Sequence, residues 1–269
     1  MTDLLIIPAR FGSTRLPGKP LVRIAGHTLL ARVARVARRA AAMAGRCDVV
    51  VATDDHRVAA HAEELGCDVA MTATQISSGS GRAYAAAAMR DPRPGIVVNL
   101  QGDAPFIPAD MVAALIAAAR QSSAACVTPV VQLDWPALDA MRAHKLRSPF
   151  SGTTCAREAG GRAFWFSKAI IPAIRDEGAL RERGPLSPVF RHLGLYAYRF
   201  EALEKFEASS PTPYERLEGL EQLRFLELGL DIHTVEVAPP AHAMSGIDTA
   251  EDVALAEELI ARLGDPHLT

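Results

Sequence analysis

The first 131 residues alternate between short, continuously apolar runs and longer stretches with apolar residues at helical spacing, and this constrains the fold most. "LLIIP" (4–8), "DVVVAT" (48–53), "CDVAM" (67–71), "GIVVNL" (95–100) and "AACVTPVV" (124–131) read as strands. Between the first two, "TLLARVARVARRAAAMAG" (28–45) repeats apolar residues every three or four positions, with arginines interleaved, and Gly45 stops it. Asp54 or Asp55 caps a second helix through "HRVAAHAEEL", which Gly66 ends. A third helix is expected from about Gly81 to Met89, and Pro108 opens a fourth, "ADMVAALIAAARQ". A strand that is apolar along its whole length has no face to give to water. Such strands, joined by helices, predict an α/β parallel sheet covered on both faces.

Residues 132–199 read differently. They contain Pro136, Pro149, Pro172, Pro185 and Pro188, and the strand-like runs "RAFWFS" (162–167) and "HLGLYAYR" (192–199) without long helices between them. This segment is expected to be an inserted mixed-β lobe, serving a substrate site or a subunit interface, in a single domain spanning 1–269. The chain then resumes with one amphipathic helix over 213–229, a strand "DIHTVEV", and a last helix capped by Thr249. With 269 residues and 49% hydrophobic content, the chain can bury a sizeable core.

Charge and cysteine usage narrow the function. The formal net charge is −2, so no general nucleic-acid surface is expected; basic residues concentrate instead in residues 10–23. Cys47, Cys67, Cys126 and Cys155 fall in no metal-ligand spacing; three lie in or beside apolar runs, where cysteine is a small buried hydrophobe, and they read as reduced thiols. "MTDLLIIPAR" lacks the basic and long apolar regions of a signal peptide, and no apolar run approaches the roughly 18 residues of a membrane span. A cytoplasmic protein without membrane insertion is expected.

Three loops carry the chemistry. "RFGSTRLPGK" (10–19) follows the first strand directly and joins two glycines to Arg10, Arg15 and Lys19. Small residues and cations together at a strand end suit an anion, here a triphosphate: arginine can grip phosphate with two donors, and lysine acts as a point charge. The loop matches neither GxxxxGK[ST] nor GxGxxG. "NLQGDAP" (99–105) places Asp103 one tight turn beyond a buried strand, where a carboxylate suits Mg²⁺; alone, it reads better as a turn residue. In "GIDTAED" (246–252), Thr249 and Asp252 nearly form a capping box, which leaves Asp248 for a metal. Ligands of open α/β sheets bind beyond the carboxyl ends of the strands, where the loops 8–19, 72–82 and 101–105 converge.

"IPARFGSTRLPGKPL", "VATDD", "QGD", "FRHLGLYAYR", "LEGLEQLRFLELG" and "GIDTAED", in this order, resemble the blocks of the 3-deoxy-manno-octulosonate cytidylyltransferases (CMP-Kdo synthetases) over nearly the whole chain. The resemblance implies a Rossmann-like parallel-sheet nucleotidyltransferase fold and a homodimer formed through 132–199. It implies transfer of CMP from CTP to the anomeric hydroxyl of an acidic sugar, a 3-deoxy-2-ulosonic acid, with release of pyrophosphate. Arg10, Lys19 and Asp103 would be catalytic, and Ala9, Arg10, Ser13, Arg15, Lys19, Ser78, Gly79 and Arg82 would bind the nucleotide. Asp103 and Asp248 would hold Mg²⁺. Gln101, Lys168, His192, Tyr196, Glu221 and Gln222 would face the acceptor. Without the resemblance, His192 reads as a satisfied half-buried histidine, and Glu221 and Gln222 are neighbours that cannot share one helix face.

The chain departs from the family pattern at four places. Gly81 and Ala104 stand where the family carries acids, Thr153 where it carries a lysine, and Lys168 where it carries an arginine. The nucleotide loop and both aspartates are intact. These features predict retained cytidylyl transfer with an altered sugar-acid site. The alternatives are another acidic acceptor, such as an amino-Kdo, another sugar acid or a phosphonate, and a non-catalytic nucleotide binder.

Overall fold

A computed structural model describes residues 2–13, 15–242, 244 and 246–266. Five apolar runs become strands: β1 (Asp3–Pro8), β4 (Cys47–Thr53), β5 (Asp68–Met71), β6 (Ile96–Asn99) and β7 (Cys126–Asp134). The helices between them are α1 (Leu29–Ala44), α2 (His56–Glu64), α3 (Gly79–Ala88) and α4 (Ala109–Gln121), and a small hairpin, β2 (Arg23–Ile24) with β3 (His27–Thr28), precedes α1. β5, β4, β1 and β6 pair in parallel. Successive residues of β1 enter two separate cores: Leu5 and Ile7 face α1 and α4, whereas Leu4 and Ile6 join the cluster containing Ala83, Ala86 and Ala87 of α3. Burial on both faces explains the unbroken apolar runs, and each fully buried Leu or Ile contributes roughly 1.5–3 kcal/mol.

Segment 132–199 contains α5 (Trp135–Lys145), β8 (Thr153–Arg157), β9 (Ala163–Ser167), α6 (Glu177–Arg183), β10 (Leu186–His192) and β11 (Tyr196–Arg199). Its strands continue the main sheet, which runs β5-β4-β1-β6-β11-β7-β10-β8-β9, with antiparallel pairing from β11 onward. Between the runs 162–167 and 192–199 only the short α6 intervenes, in line with the expectation of no long helix there; α5 lies ahead of both, where the prolines suggest loop. Pro136 sits in its first turn, where proline is tolerated, and Asp134 caps it by accepting the Ala137 N–H at 2.7 Å. The run 192–199 is also not one strand: β10 ends at His192 and β11 begins at Tyr196.

The rest of the chain forms α7 (Phe200–Glu207), α8 (Pro213–Glu218), α9 (Glu221–Glu227), β12 (Ile232–Glu236), which pairs with β7, and α10 (Ala250–Leu263). The single helix expected over 213–229 is thus two. Gly219, at φ +63°, breaks it with a left-handed residue. A buried ion pair fixes the elbow, with Arg224 donating through Nε to Glu215 Oε2 at 2.7 Å. The elbow sets the first turn of α9, and with it Glu221 and Gln222, against the ends of the central strands.

Candidate active site

The loops after β1 and β6 meet without clearance. A Cβ added to Gly102 would stand 2.3 Å from the Pro8 carbonyl oxygen, so only glycine lets the "QGD" turn lie on the end of β1. Beside this contact opens a cavity of about 390 Å³ lined by Arg10, Ser13, Arg15, Lys19, Asp103 and Asp248, with Ala9 in its wall. Gly18 takes φ +66°, which needs glycine, whereas Gly12 lies in open space and has no such steric demand. Lys19 Nζ donates to Asp103 Oδ2 at 2.7 Å and to Asp248 Oδ1 at 3.0 Å, and Arg15 pairs with Asp248 at 3.0 Å. Asp252 accepts the main-chain N–H groups of Asp248 and Thr249, at 2.8 and 2.9 Å. The capping box therefore uses Asp252 and leaves the Asp248 carboxylate for the cavity. Two carboxylates converging on one cation form an oxygen-rich donor set that fits Mg²⁺, with phosphate oxygens able to complete the shell. Among the described residues no cluster of three or more His, Cys, Asp or Glu is arranged for a metal.

The opposite wall is the start of α3. Ser78 caps the helix, its hydroxyl accepting the Gly81 N–H at 3.0 Å, and Gly79 leaves room for Gln101, whose Oε1 would lie 2.9 Å from an added Cβ. Arg82 lines the same cavity, but its guanidinium is turned inward, donating to the Ile76 carbonyl at 2.8 Å and pairing with Asp54 at 3.2 Å. It braces the 72–78 loop, which gives the "VATDD" block a role through Asp54.

A second cavity of about 460 Å³ adjoins the first and shares Gly79, Gln101 and Asp103 with it. The residues assigned to the acceptor all line it: Gln101, Lys168, His192, Tyr196, Glu221 and Gln222. Glu221 and Gln222 both reach the cavity because they open α9, where the helix end itself faces the space. His192 is buried and its pKa is pushed down to about 3, first by burial and then by the charge of Lys168, so the ring is neutral. The Thr128 hydroxyl donates to the Leu195 carbonyl at 2.8 Å and therefore accepts from His192 Nε2, 2.9 Å away. That fixes the Nε2–H tautomer and leaves Nδ1 as an acceptor. Tyr196 donates to Gln222 Oε1 at 3.1 Å, and the buried Gln222 Nε2 has no partner among the described residues. Lys168 holds its main-chain N–H to Glu218 at 2.8 Å, and burial lowers its pKa against the opposing pull of Glu218.

Sequence reasoning missed three contributors. Arg191, next to His192, lines the second cavity. Glu207 of α7 reaches over Gly81: a Cβ there would stand 3.0 Å from Glu207 Oε2. Ser80, buried at the start of α3, brings its hydroxyl within hydrogen-bonding reach of the Glu207 and Glu221 carboxylates, whose pKa values burial raises. Arg191 was legible inside the quoted "FRHLGLYAYR"; Glu207 carried no local signal, because its role depends on a helix far away in sequence.

Parallel strands that end in a cation-lined, phosphate-sized cleft with a second cavity beside it define a nucleotidyltransferase. The chain belongs to the cytidylyltransferase family, whose family model matches residues 4–232, and within it to the CMP-Kdo synthetases. It is 40% identical to the 3-deoxy-manno-octulosonate cytidylyltransferase of Maricaulis maris (strain MCS10), over 98% of this chain and 99% of that one. It is 41% identical to the enzyme of the same name from Xylella fastidiosa (strain M12), over 96% of each. A solved CMP:2-keto-3-deoxy-manno-octonic acid synthetase complexed with CTP superposes with a TM-score of 0.81 at 30% identity, covering 98% of this chain and all of that one.

Proposed function

We propose that the chain transfers CMP from CTP to the anomeric hydroxyl of Kdo or a Kdo-like 3-deoxy-2-ulosonic acid, releasing pyrophosphate. The observation that carries this reading is the pair of adjoining cavities, one cationic and one lined by hydrogen-bonding side chains, with Gln101 and Asp103 in both walls. A hydroxyl bound in the second can reach a phosphate bound in the first. Arg10, Arg15 and Lys19 neutralise the phosphates, which in-line transfer requires more than it requires covalent chemistry. Asp103 and Asp248 would hold Mg²⁺, which when bound offsets charge on the phosphates. Neutral His192, through Nδ1, and Gln222, through Nε2, offer one acceptor and one donor to hydroxyls of the sugar.

A second reading, an acceptor that differs from Kdo itself, is favoured by where the departures fall. Ala104, Thr153 and Lys168 all line the second cavity. The homodimer is supported by the exposed Leu146, Phe150, Phe164 and Leu186, all within 132–199. No helix among the described residues is long and apolar enough to cross a membrane. The test is pyrophosphate release from CTP against a panel of sugar acids. Release with Kdo or a close relative is expected. Silence with every 3-deoxy-2-ulosonic acid ends this reading and favours a non-catalytic nucleotide binder.

A further inference from the structure

A 2-ulosonic acid brings a carboxylate on the carbon beside its reacting centre, and the second cavity must balance that charge. Its wall already holds two acids, Asp103 and Glu221. Among the described residues, the lysine and arginine on that wall are Lys168 and Arg191; of its two histidines, His192 and His242, His192 is held neutral. Lys168 is already faced by Glu218, which also binds its main-chain N–H. Arg191 has no such neighbour. It is half-buried on β10, between Val131 of β7 and Thr154 of β8, and no described residue gives its guanidinium a hydrogen bond or an ion pair. A guanidinium drawn out of water without a partner is costly, and the cost is recovered when a ligand supplies the anion. Residues of a strand alternate across the sheet, so Arg191 lies across the strand from His192. The cavity touches both because β10 ends at His192 and the chain turns through Leu193 and Gly194.

Resting on the acceptor reading above, we propose that Arg191 is the specificity-determining anchor for the acceptor's carboxylate. Lys168 offers only a point charge, and among the described residues Arg191 is the planar fork on this wall. The carboxylate is held on the Arg191 side of the strand, and the hydroxyls are read on the His192, Tyr196 and Gln222 side.

The experiment measures pyrophosphate release for wild type, Arg191→Gln, Arg191→Lys and Lys168→Gln, each with a turned-over ulosonic acid and with its C1 amide. Wild type should prefer the carboxylate over the amide by about ten- to a hundred-fold. Arg191→Gln should raise the acceptor KM by a similar factor, leave the CTP KM unchanged and abolish the preference. Arg191→Lys should keep part of it. If Arg191→Gln weakens carboxylate and amide equally, or if the preference collapses in Lys168→Gln while Arg191→Gln retains it, the proposal is overturned. If wild type turns over no ulosonic acid at all, the functional reading itself falls and takes the anchor with it.

Discussion

Replacing Lys19 with methionine keeps the aliphatic stem and removes the ammonium that Asp103 and Asp248 share at 2.7 and 3.0 Å. Two consequences follow from that geometry. The ammonium is largely shielded, with 15% of the side chain exposed, so solvent screens its contacts only in part. A charge-assisted phosphate contact of this kind is worth roughly 1.5–3 kcal/mol, so CTP affinity should fall about ten- to a hundred-fold. At the same time the two carboxylates lose the cation between them and keep only Arg15 on Asp248. Lys19→Met should therefore bind a divalent cation without nucleotide more tightly than wild type, because the metal no longer competes with the ammonium. Calorimetry with CTP and paramagnetic resonance with Mn²⁺, each on folded protein checked by circular dichroism, read the two effects separately. Near-normal CTP binding would refute the triphosphate assignment. Unchanged Mn²⁺ affinity would refute the idea that Lys19 and a metal compete for the same pair of oxygens.

Asp103→Asn keeps the shape of the turn and removes its charge; turnover should be lost and only partly restored by excess Mg²⁺, and wild-type activity that persists unchanged in EDTA would end the metal assignment. His192 should remain a neutral Nε2–H ring at pH 5.5, readable from its ring-nitrogen NMR shifts, and a charged ring at that pH contradicts the burial argument. Its folded pKa, about 3, lies below the ordinary 6.5. The unfolded chain therefore takes up the proton first, and stability falls as pH drops from 6.5 toward 3, by at most about 1.4 kcal/mol per pH unit from this group. That contribution to the slope should vanish in His192→Asn, measured by denaturation across the range. Sedimentation at micromolar concentration should give a dimer, weakened by Phe150→Ser in the exposed apolar patch of 132–199; a monomeric wild type defeats the dimer expectation.

The parallel half of the fold was legible because both of its faces are buried, which writes the strands as continuous apolar runs. The antiparallel half was less so. Pro136 looked like a loop signal although it sits where a helix tolerates it, and the helix over 213–229 looked continuous because its amphipathic pattern passes through Gly219 without a break. At the site, Arg10, Arg15, Lys19, Asp103 and Asp248 could be read from three loops, since each lies within a few residues of a strand end or helix cap. The inward turn of Arg82, the tautomer of His192 and the reach of Glu207 depend on partners 28, 64 and more than a hundred residues away, and no local pattern encodes such pairings.

The space above Gly81 bears on how the chain's departures should be weighed. Compared position by position, the sequence loses an acid there. Compared by place, a carboxylate is present: Glu207 of α7 reaches over Gly81, and the glycine leaves the room that admits it. An acid placed at position 81 alone would therefore crowd two carboxylates into one space, so the two positions constrain each other. Ala104, Thr153 and Lys168, by contrast, all line the second cavity.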